Sequence, residues 1–406
     1  MSFVCLLSSL QQVGLATVSG SITSSLNADA TMLGFITASF SYSYAAMQIP
    51  SGLIVDITGP RKSVSLALLC ASLGTFLFAG ALQPAQAVIG RILTGLGLSL
   101  VQVPLLKLIA VWFPSKDFGK MAAISFVIGS AGYCVATSPM AWAEEHFGWR
   151  LPFMFIAALL ALSALLVWLY VRDCPKSSNC DVKKSLSNKN ITSILKILTG
   201  NRQLWLISFW YLLQVGVYFS FIGLWGGQYL MRVLHCTASE AGWILTPAAA
   251  ALITAPLFTW IVSRQGKKRQ LLMVLPLCSI MLTFPLAFGI ESASPILMCM
   301  FFFVLSTCSI GGAAVVFDAG KELFPINFSG TVCGFINMFP LAGGALFQHT
   351  IGIFIQTQET FGISVAAAFS SAFYVYIVSA VIALVLGFNY KEKSAVTQTC
   401  KSLLPG

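Results

Sequence analysis

The sequence predicts an all-α membrane protein with twelve transmembrane helices in two pseudo-symmetric halves of six. Three observations predict this class. Of the 406 residues, 57% are hydrophobic and only 9% are charged, whereas an ordinary soluble domain has about 25% charged residues. The mean hydropathy is +0.86. The apolar residues also fall in runs of about 20, the length that crosses a bilayer.

Twelve apolar runs are separated by proline, glycine or charged residues, and each is a predicted helix. The first run has no basic segment before it and is too long for a signal peptide, so we expect it to be a span. In the first half the predicted helices cover residues 2–24, 30–54, 63–83, 86–112, 121–142 and 152–171. In the second half they cover residues 204–227, 241–262, 271–289, 294–317, 329–356 and 366–388.

The longest polar stretches give the domain boundaries. We expect a first half at 1–171, a linker at 172–203, a second half at 204–388 and a tail at 389–406. All but four of the 23 basic residues then lie in loops on the side of the linker and tail. This bias predicts that both termini are cytoplasmic, and it explains the net charge of +10 without nucleic acid as a partner.

The two halves repeat short segments at a constant spacing. WFPSKDFGK after predicted helix 4 matches LFPINFSGT after predicted helix 10 at an offset of 211 residues, and Gly132 matches Gly343 at the same offset. The tripeptide that begins at Gln12 in helix 1 matches the one that begins at Gln214 in helix 7. Duplicated halves are an architecture of secondary transporters, which place the substrate site between them.

The segment GLIVDITGPRK joins predicted helices 2 and 3. Gly59 permits a tight turn. Asp56 is placed to cap a helix or to pair with a neighbouring helix, and Arg61 and Lys62 hold the loop on the cytoplasmic side. A shortened copy, SRQGKKR, follows predicted helix 8.

This segment resembles the GxLaDrxGrk signature of the major facilitator superfamily, with Ile57 and Pro60 at two positions that are usually basic. The resemblance implies the fold of that superfamily and movement of a solute by alternating access. It also implies that Asp56 and Arg61 stabilise the cytoplasmic contacts between the halves, within a gating and structural motif that also contains Gly52, Gly59 and Lys62.

Predicted helix 4 contains GRILTG, which is similar to the RxxxG motif of the superfamily. An arginine within a span is costly unless it is paired or hydrated, so Arg91 is a candidate substrate-binding residue that faces the interior. The alternative is that Arg91 snorkels to the outer end of the helix. Predicted helix 5 lacks the glycine-proline motif of drug antiporters, which disfavours export.

Lys107 and Asp318 occupy equivalent positions of the repeat, each seven residues before the proline of its matching segment. The resemblance implies that these cytoplasmic helix ends meet when the transporter faces outward. Two opposite charges there predict an ion pair that gates the cytoplasmic side, because unpaired buried charges would be costly. Asp318 is also the candidate for a proton-linked acid. The alternative is that both side chains only snorkel to the interface.

Other polar residues in the predicted spans are candidates for the substrate cavity. They can bind a solute or merely join two helices by hydrogen bonds. Beside Arg91 these are Gln12, Tyr42, Gln102, Tyr133, Gln214, Tyr218 and Asn337. His349 could relay protons, but a packed histidine is the expectation.

Motifs for nucleotide hydrolysis, zinc hydrolysis and serine hydrolysis are missing from the sequence, so we expect no enzyme and no cofactor. The three histidines lack the spacing of metal ligands, and the 11 cysteines are odd in number and scattered. Transport energy would therefore come from a gradient.

Several stretches, among them KLIAVWFPSKDFGK, GLWGGQYL and GFINMFPLAGGALFQ, resemble bacterial anion:cation symporters, nitrate/nitrite-type permeases and amino-acid permeases of intracellular bacteria. Predicted helix 2 lacks an anion-binding arginine, which disfavours nitrate. We expect a monomeric inner-membrane transporter that takes up a small polar or anionic solute, of the amino-acid or organic-anion class, together with protons. The alternatives are an exporter of a hydrophobic compound and a permease-like sensor that does not transport.

Overall fold

In the computed structural model, residues 1–173, 196–254, 267–288, 294–324 and 329–391 are described, and they form twelve helical rods without a strand among them. We label the rods α1 to α12 and give a broken rod as its segments. The first half contains α1 (Ser2–Val13 and Ser19–Leu26), α2 (Ala30–Ala46 and Gln48–Thr58), α3 (Pro60–Ala79), α4 (Pro84–Leu98 and Gln102–Trp112), α5 (Ser115–Val135 and Ser138–Phe147) and α6 (Arg150–Tyr170).

The second half contains six more rods. They are α7 (Arg202–Ser220, the π-helical turn Phe221–Trp225 and Gly226–Arg232), α8 (Ala238–Ala250 and the 3-10 turn Ala251–Thr254), α9 (Lys268–Phe288), α10 (Pro295–Ile310 and Ala313–Glu322), α11 (Ser329–Thr360) and α12 (Val365–Ala372 and Tyr374–Asn389).

Most rods are long and apolar enough to cross a membrane. Among the described residues, eight helices meet this test by length and composition, and a ninth is α5, whose two segments meet at an angle of 41°. The other three rods, α1, α2 and α8, are divided into shorter described segments. The division of α1 at 14–18 was not predicted from the sequence, which indicates one uninterrupted run.

Helix boundaries differ from the predicted ones where proline and glycine act locally. α3 begins at Pro60, three residues earlier than predicted, because proline is suited to the first turn of a helix. It ends at Gly80 rather than at residue 83. α5 begins at Ser115 rather than at 121, directly after Pro114.

The repeat appears in the structure as helix breaks at matching positions. α4 is interrupted at residues 99–101 and α10 at residues 311–312, and the offset of 211 places the α10 break on residues 100–101 of α4. Gly132 and Gly343, matched at the same offset, also have the same packing role. A Cβ on Gly132 would collide with the Leu6 carbonyl of α1, and one on Gly343 with the Leu212 carbonyl of α7. The absence of a side chain thus lets the fifth rod of each half approach the first.

Two sets of loops define the ends of the bundle, and contacts made by the loops and the adjoining helix ends hold each set together. We name the ends after the orientation predicted from the charges. The outer end carries the loops at 27–29, 80–83, 148–149, 233–237 and 361–364, and the inner end carries those at 59, 113–114 and 171–173.

Candidate functional site

A polar cavity of about 90 Å³ lies among α1, α2, α4 and α5 of the first half, with Leu252 of α8 at its edge. Within the described lining every polar side chain is a hydroxyl, an amide or a thiol, and none is charged. The hydroxyl and amide groups belong to Ser8, Ser9, Gln12, Tyr44, Gln102, Ser125, Ser130 and Tyr133.

Three of the predicted cavity residues meet here. Gln12 lies one helical turn after Ser8 and Ser9 on α1, so the three side chains share a face. The Tyr133 hydroxyl of α5 donates a 2.7 Å hydrogen bond to Oε1 of Gln12. Gln102 begins the second segment of α4, directly after the break, and also lines the cavity.

The tyrosine that α2 supplies is Tyr44, not Tyr42 as predicted. Tyr42 has 37% of its surface exposed, whereas Tyr44 has 7% and lines the cavity. Successive residues of an α-helix are rotated by about 100°, so residues two apart lie on nearly opposite faces. The face of α2 that lines the cavity therefore cannot hold both tyrosines. The Tyr44 hydroxyl lies near Ser8 and Gln48.

Asn337 approaches the cavity from the second half through Gln48, a residue that the sequence analysis did not identify. Nδ2 of Asn337 donates a 3.0 Å hydrogen bond to Oε1 of Gln48. Gln48 is buried and follows the break in α2 at Met47. The chain Tyr44, Gln48 and Asn337 therefore connects the cavity wall with α11.

Gln214 and Tyr218 lie inside the second half and away from the described lining of the cavity. Nε2 of Gln214 donates a 3.4 Å hydrogen bond to Ser279 of α9. The Tyr218 hydroxyl donates a 3.0 Å bond to the Ala249 carbonyl of α8. In this conformation both residues connect rods, which is the alternative that the sequence left open.

Arg91 is 1% exposed, so the snorkelling alternative is wrong. Its Nη1 donates hydrogen bonds to the carbonyl and to Oε1 of Gln11, at 3.0 and 3.3 Å. Its guanidinium carbon lies 4.6 Å from the ring centre of Phe40 and 5.7 Å from that of Phe78. Nε and Nη2 have no hydrogen-bond partner among the described residues. Arg91 thus lies behind the cavity wall, bonded to the residue that precedes Gln12.

The signature loop is held within its own half. Gly59 has φ +79°, a backbone conformation suited to glycine, and ends α2 against α3. The backbone N–H of Arg61 donates a 2.7 Å bond to the Asp173 carboxylate. Its Nε donates to the Trp168 carbonyl of α6 at 2.7 Å, and its charge lies 4.8 Å from the Trp168 ring centre. The described contacts of Arg61 therefore join α3 to α6, whereas the sequence predicts a contact between the halves.

The remaining residues of this loop carry less structural information. Lys62 is exposed. A Cβ on Gly52 would meet nothing within 4 Å, so packing does not require glycine there. The side chain of Asp56 lies outside what the structure describes. Arg269 repeats the role of Arg61 in the second half, since its Nη2 donates to the Phe388 carbonyl of α12 at 2.9 Å.

Asp318 forms an ion pair with Lys268, a residue that the sequence analysis did not single out. Nζ of Lys268 at the start of α9 lies 2.6 Å from Oδ2 of Asp318 and 2.7 Å from Oε1 of Glu322 on α10. Lys107 is partly buried on the second segment of α4. Its predicted contact with Asp318 stays a prediction.

The outer end is closed by contacts between the halves. Glu145 accepts a 2.9 Å hydrogen bond from the backbone N–H of Ser239 at the start of α8. Thr246 of α8 lies 2.9 Å from the Thr137 hydroxyl, at the break in α5. Gln356 of α11 accepts a 3.1 Å bond from the first residue of α2. The polar cavity is therefore separated from the outer end by packed helices.

The lining of this cavity offers hydrogen-bond donors and acceptors. The described residues contain no group of three or more histidine, cysteine or acidic side chains placed to hold a metal ion. Hydroxyl and amide groups both donate and accept hydrogen bonds, and in a buried cavity these bonds select a solute by its shape and polar groups.

Known transporters are similar to this chain in sequence. The chain is 22% identical over 377 residues to the D-galactonate transporter of Escherichia coli O6:H1, which is 86% of each protein. A potential vesicular glutamate transporter of Caenorhabditis elegans is 27% identical over 144 residues, only 34% of this chain and 26% of the relative.

Solved structures share the fold over nearly the full length. A bacterial homologue of the human lysosomal transporter Spinster, in an inward-facing and unoccupied conformation, has a TM-score of 0.79 at 18% identity and covers 95% of this chain and 94% of its own. A D-xylose–proton symporter has a TM-score of 0.73 at 15% identity, with 96% of both chains covered.

The model of one protein family, described as the Major Facilitator Superfamily, matches residues 1–348. That match covers eleven of the twelve rods at least in part, including both copies of the repeat. The resemblance read from the signature loop and the twelve-helix expectation are both confirmed, and the chain belongs to the Major Facilitator Superfamily of membrane transporters.

Proposed function

We propose that the protein takes up a small polar or anionic organic solute, of the organic-anion or amino-acid class, across the inner membrane together with protons. It acts as a monomer, with both termini in the cytoplasm. The moving units are the halves at 1–171 and 204–388, joined by the linker at 172–203 and followed by the tail at 389–406.

The observation that carries this proposal is the hydroxyl- and amide-lined cavity around Gln12, Gln102 and Tyr133. It lies beneath the closed outer end, so a solute bound there is shielded from that side. The D-galactonate transporter, which aligns over 86% of the chain, handles an organic anion that also carries hydroxyl groups. The polar lining suits the hydroxyl groups of such a solute.

Arg91 has the role of orienting the substrate through α1. Its hydrogen bonds to Gln11 fix the backbone next to Gln12, and its charge adds a positive field behind the cavity. The field favours a solute with negative charge. The other predicted cavity residues bind the solute from the second half, and they are Gln214, Tyr218 and Asn337.

The proton-linked acid in this proposal is Asp318. Lys268 pairs with both Asp318 and Glu322, so Lys268 keeps a carboxylate partner when Asp318 takes up a proton. Lys107 approaches the same pair of acids when the inner end closes, and the signature loop stabilises that closed state.

Solute flux into reconstituted vesicles tests the proposal. Purified protein is presented with aldonates, aldarates, amino acids, monocarboxylates, sugars and nucleosides, with and without an acidic exterior. We expect uptake of one organic-anion or amino-acid class, and faster uptake with acid outside. An uptake rate that does not depend on the proton gradient would refute proton coupling but would still support solute transport. Expulsion driven by the gradient would favour the exporter, and no flux of any class would favour the sensor.

Two tyrosine variants connect such flux to the cavity. Tyr133→Phe removes the hydroxyl that donates to Gln12, so we expect solute affinity to fall by about fivefold, the effect of one hydrogen bond of about 1 kcal/mol. Tyr42→Phe is the matched control, because its hydroxyl lies away from the cavity, and it should leave affinity unchanged. Equal effects of the two variants would contradict the placement of the site.

A further inference from the structure

α7 contains a turn of π-helix at Phe221–Trp225, in which the Gly226 N–H donates to the Phe221 carbonyl five residues earlier. Such turns are rare and occur mostly where function needs an irregular helix. A single residue of α11, Gln348, bonds to both sides of this turn. Its side-chain Nε2 donates a 3.1 Å hydrogen bond to the Phe219 carbonyl, and its backbone carbonyl accepts a 3.0 Å bond from Nε1 of Trp225.

The surrounding rods leave room for this amide and little else. Gln348 is 1% exposed. A Cβ on Gly223 would lie 2.7 Å from Nε2 of Gln348, and a Cβ on Gly34 of α2 would collide with the Gln348 carbonyl. Two glycines on two different rods therefore allow Gln348 to reach the π-helical turn.

The turn also lies next to the polar cavity. The ring of Phe219, whose carbonyl accepts from Gln348, lies 6.4 Å from the ring centre of Tyr133 in the cavity wall. The Gln12 carbonyl lies 3.7 Å from where a Cβ on Gly223 would be. Two residues of the cavity thus contact the residues that Gln348 holds.

Beyond the turn, α7 seals the outer end against α1. Nε2 of Gln228 donates a 2.7 Å hydrogen bond to the Ser19 hydroxyl, and both residues are buried. A Cβ on Gly227 would collide with the Ala16 carbonyl at the break in α1. The segment Gly226–Arg232 is therefore the part of the second half that closes over α1.

We propose that Gln348 is a latch that holds α7 in its π-helical form and thereby keeps the outer end closed. Occupancy of the polar cavity acts on this latch through the contact of Tyr133 with Phe219. This last coupling rests on the proposed transport function, whereas the latch itself does not. Release of the latch frees Gly226–Arg232 from α1 and opens the outer end.

Hydrogen–deuterium exchange of the protein in lipid nanodiscs tests the latch without any solute. Gln348→Leu removes the side-chain amide and keeps a similar volume, and Trp225→Phe removes the indole donor together with part of the ring. We expect both variants to raise exchange in peptides covering 219–228 and 14–19 by about tenfold, in line with the loss of one buried hydrogen bond. Thr350→Val, an exposed position on the same rod, is the matched control and should exchange like the wild type.

Unchanged exchange in both variants would overturn the latch even if wild-type flux is robust. Uniformly raised exchange, including α9, would indicate general destabilisation and would also overturn it; Trp225→Phe serves if Gln348→Leu does not fold. With a transported solute, wild-type exchange at 219–228 should change and that of Gln348→Leu should not. Failure of flux for every solute, with the two variants still raising exchange locally, would remove the proposed function and retain the latch.

Discussion

Arg91 carries a positive charge into the interior of the first half, where the described residues offer it two bonds to Gln11 and two aromatic faces but no carboxylate. Its motif made it recognisable in the sequence. Its depth was not predictable, because an arginine in a span either snorkels or faces inward, and only the packing of α1, α2 and α3 decides which. Tyr44 and Gln48 were not predicted as cavity residues. They lie beside the break in α2, and the periodicity of the sequence does not show which way a helix faces near a break.

Two substitutions of Arg91 separate its charge from its volume. Arg91→Met fills the space and removes a buried charge, so we expect a melting temperature at or above that of the wild type. Arg91→Ala leaves a cavity and should lower the free energy of unfolding by about 3 kcal/mol. Arg91→Met should still raise the solute KM by at least about fivefold, since α1 loses both hydrogen bonds from Arg91. Thermal melting measures the stability of the two variants, and flux into vesicles measures their KM. A melting temperature of Arg91→Met below that of the wild type would mean that the charge itself stabilises the fold.

At the scale of single elements, the sequence predicted all twelve rods but not their breaks. The interruptions in α4 and α10 contain no proline and fall at matching positions of the repeat, although only the α10 interruption consists of glycines. The matched glycines were visible as a pair at the offset of 211, yet their partners on α1 and α7 required the structure. Local residues thus predict where a rod lies, and contacts between rods decide where it bends.

The matched glycines predict parallel effects in the two halves. Gly132→Ala and Gly343→Ala each place a methyl group against a backbone carbonyl that cannot yield easily, so each should lower the free energy of unfolding by about 1–3 kcal/mol. Gly20→Ala is the control, because a Cβ there meets nothing within 4 Å. Melting in detergent measures all three. A stable Gly343→Ala beside an unstable Gly132→Ala would mean that the halves do not use the glycine in the same way.

For the whole molecule, internal symmetry extends to the inner end. Arg61 bonds the end of α6, and Arg269 bonds the end of α12 in the same manner. The sequence indicated the first as part of a signature and the second only as a shortened copy. The sequence predicts Lys107 as the partner of Asp318 from opposite charges at equivalent positions, and in this conformation Asp318 pairs with Lys268, because α9 and α10 pack side by side.

The proposed inner gate predicts rescue between the halves. Lys107→Glu and Asp318→Lys should each lower flux by about tenfold, because each places like charges together when the inner end closes. The double reversal should recover most of the solute flux measured without a proton gradient, because it restores the opposite charges but lacks the acid at position 318. Lys321→Glu, an exposed charge beside Glu322, is the control and should transport normally. Flux that stays low in the double variant would refute the gate, and initial rates in proteoliposomes decide between the outcomes.

The π-helical turn of α7 also determines the direction in which the following side chains point around the helix axis. A π turn contains one residue more than an α-helical turn, and each residue of an α-helix corresponds to about 100° around the axis. If Phe221–Trp225 relaxes to regular α-helix, Gly226–Arg232 must therefore swivel by about 100°. Such a swivel carries the amide of Gln228 away from Ser19 and presents a bulkier face than Gly227 to α1. The extra residue of the π turn thus provides a way to open the outer end by rotating Gly226–Arg232 about its axis, with little translation of the rods.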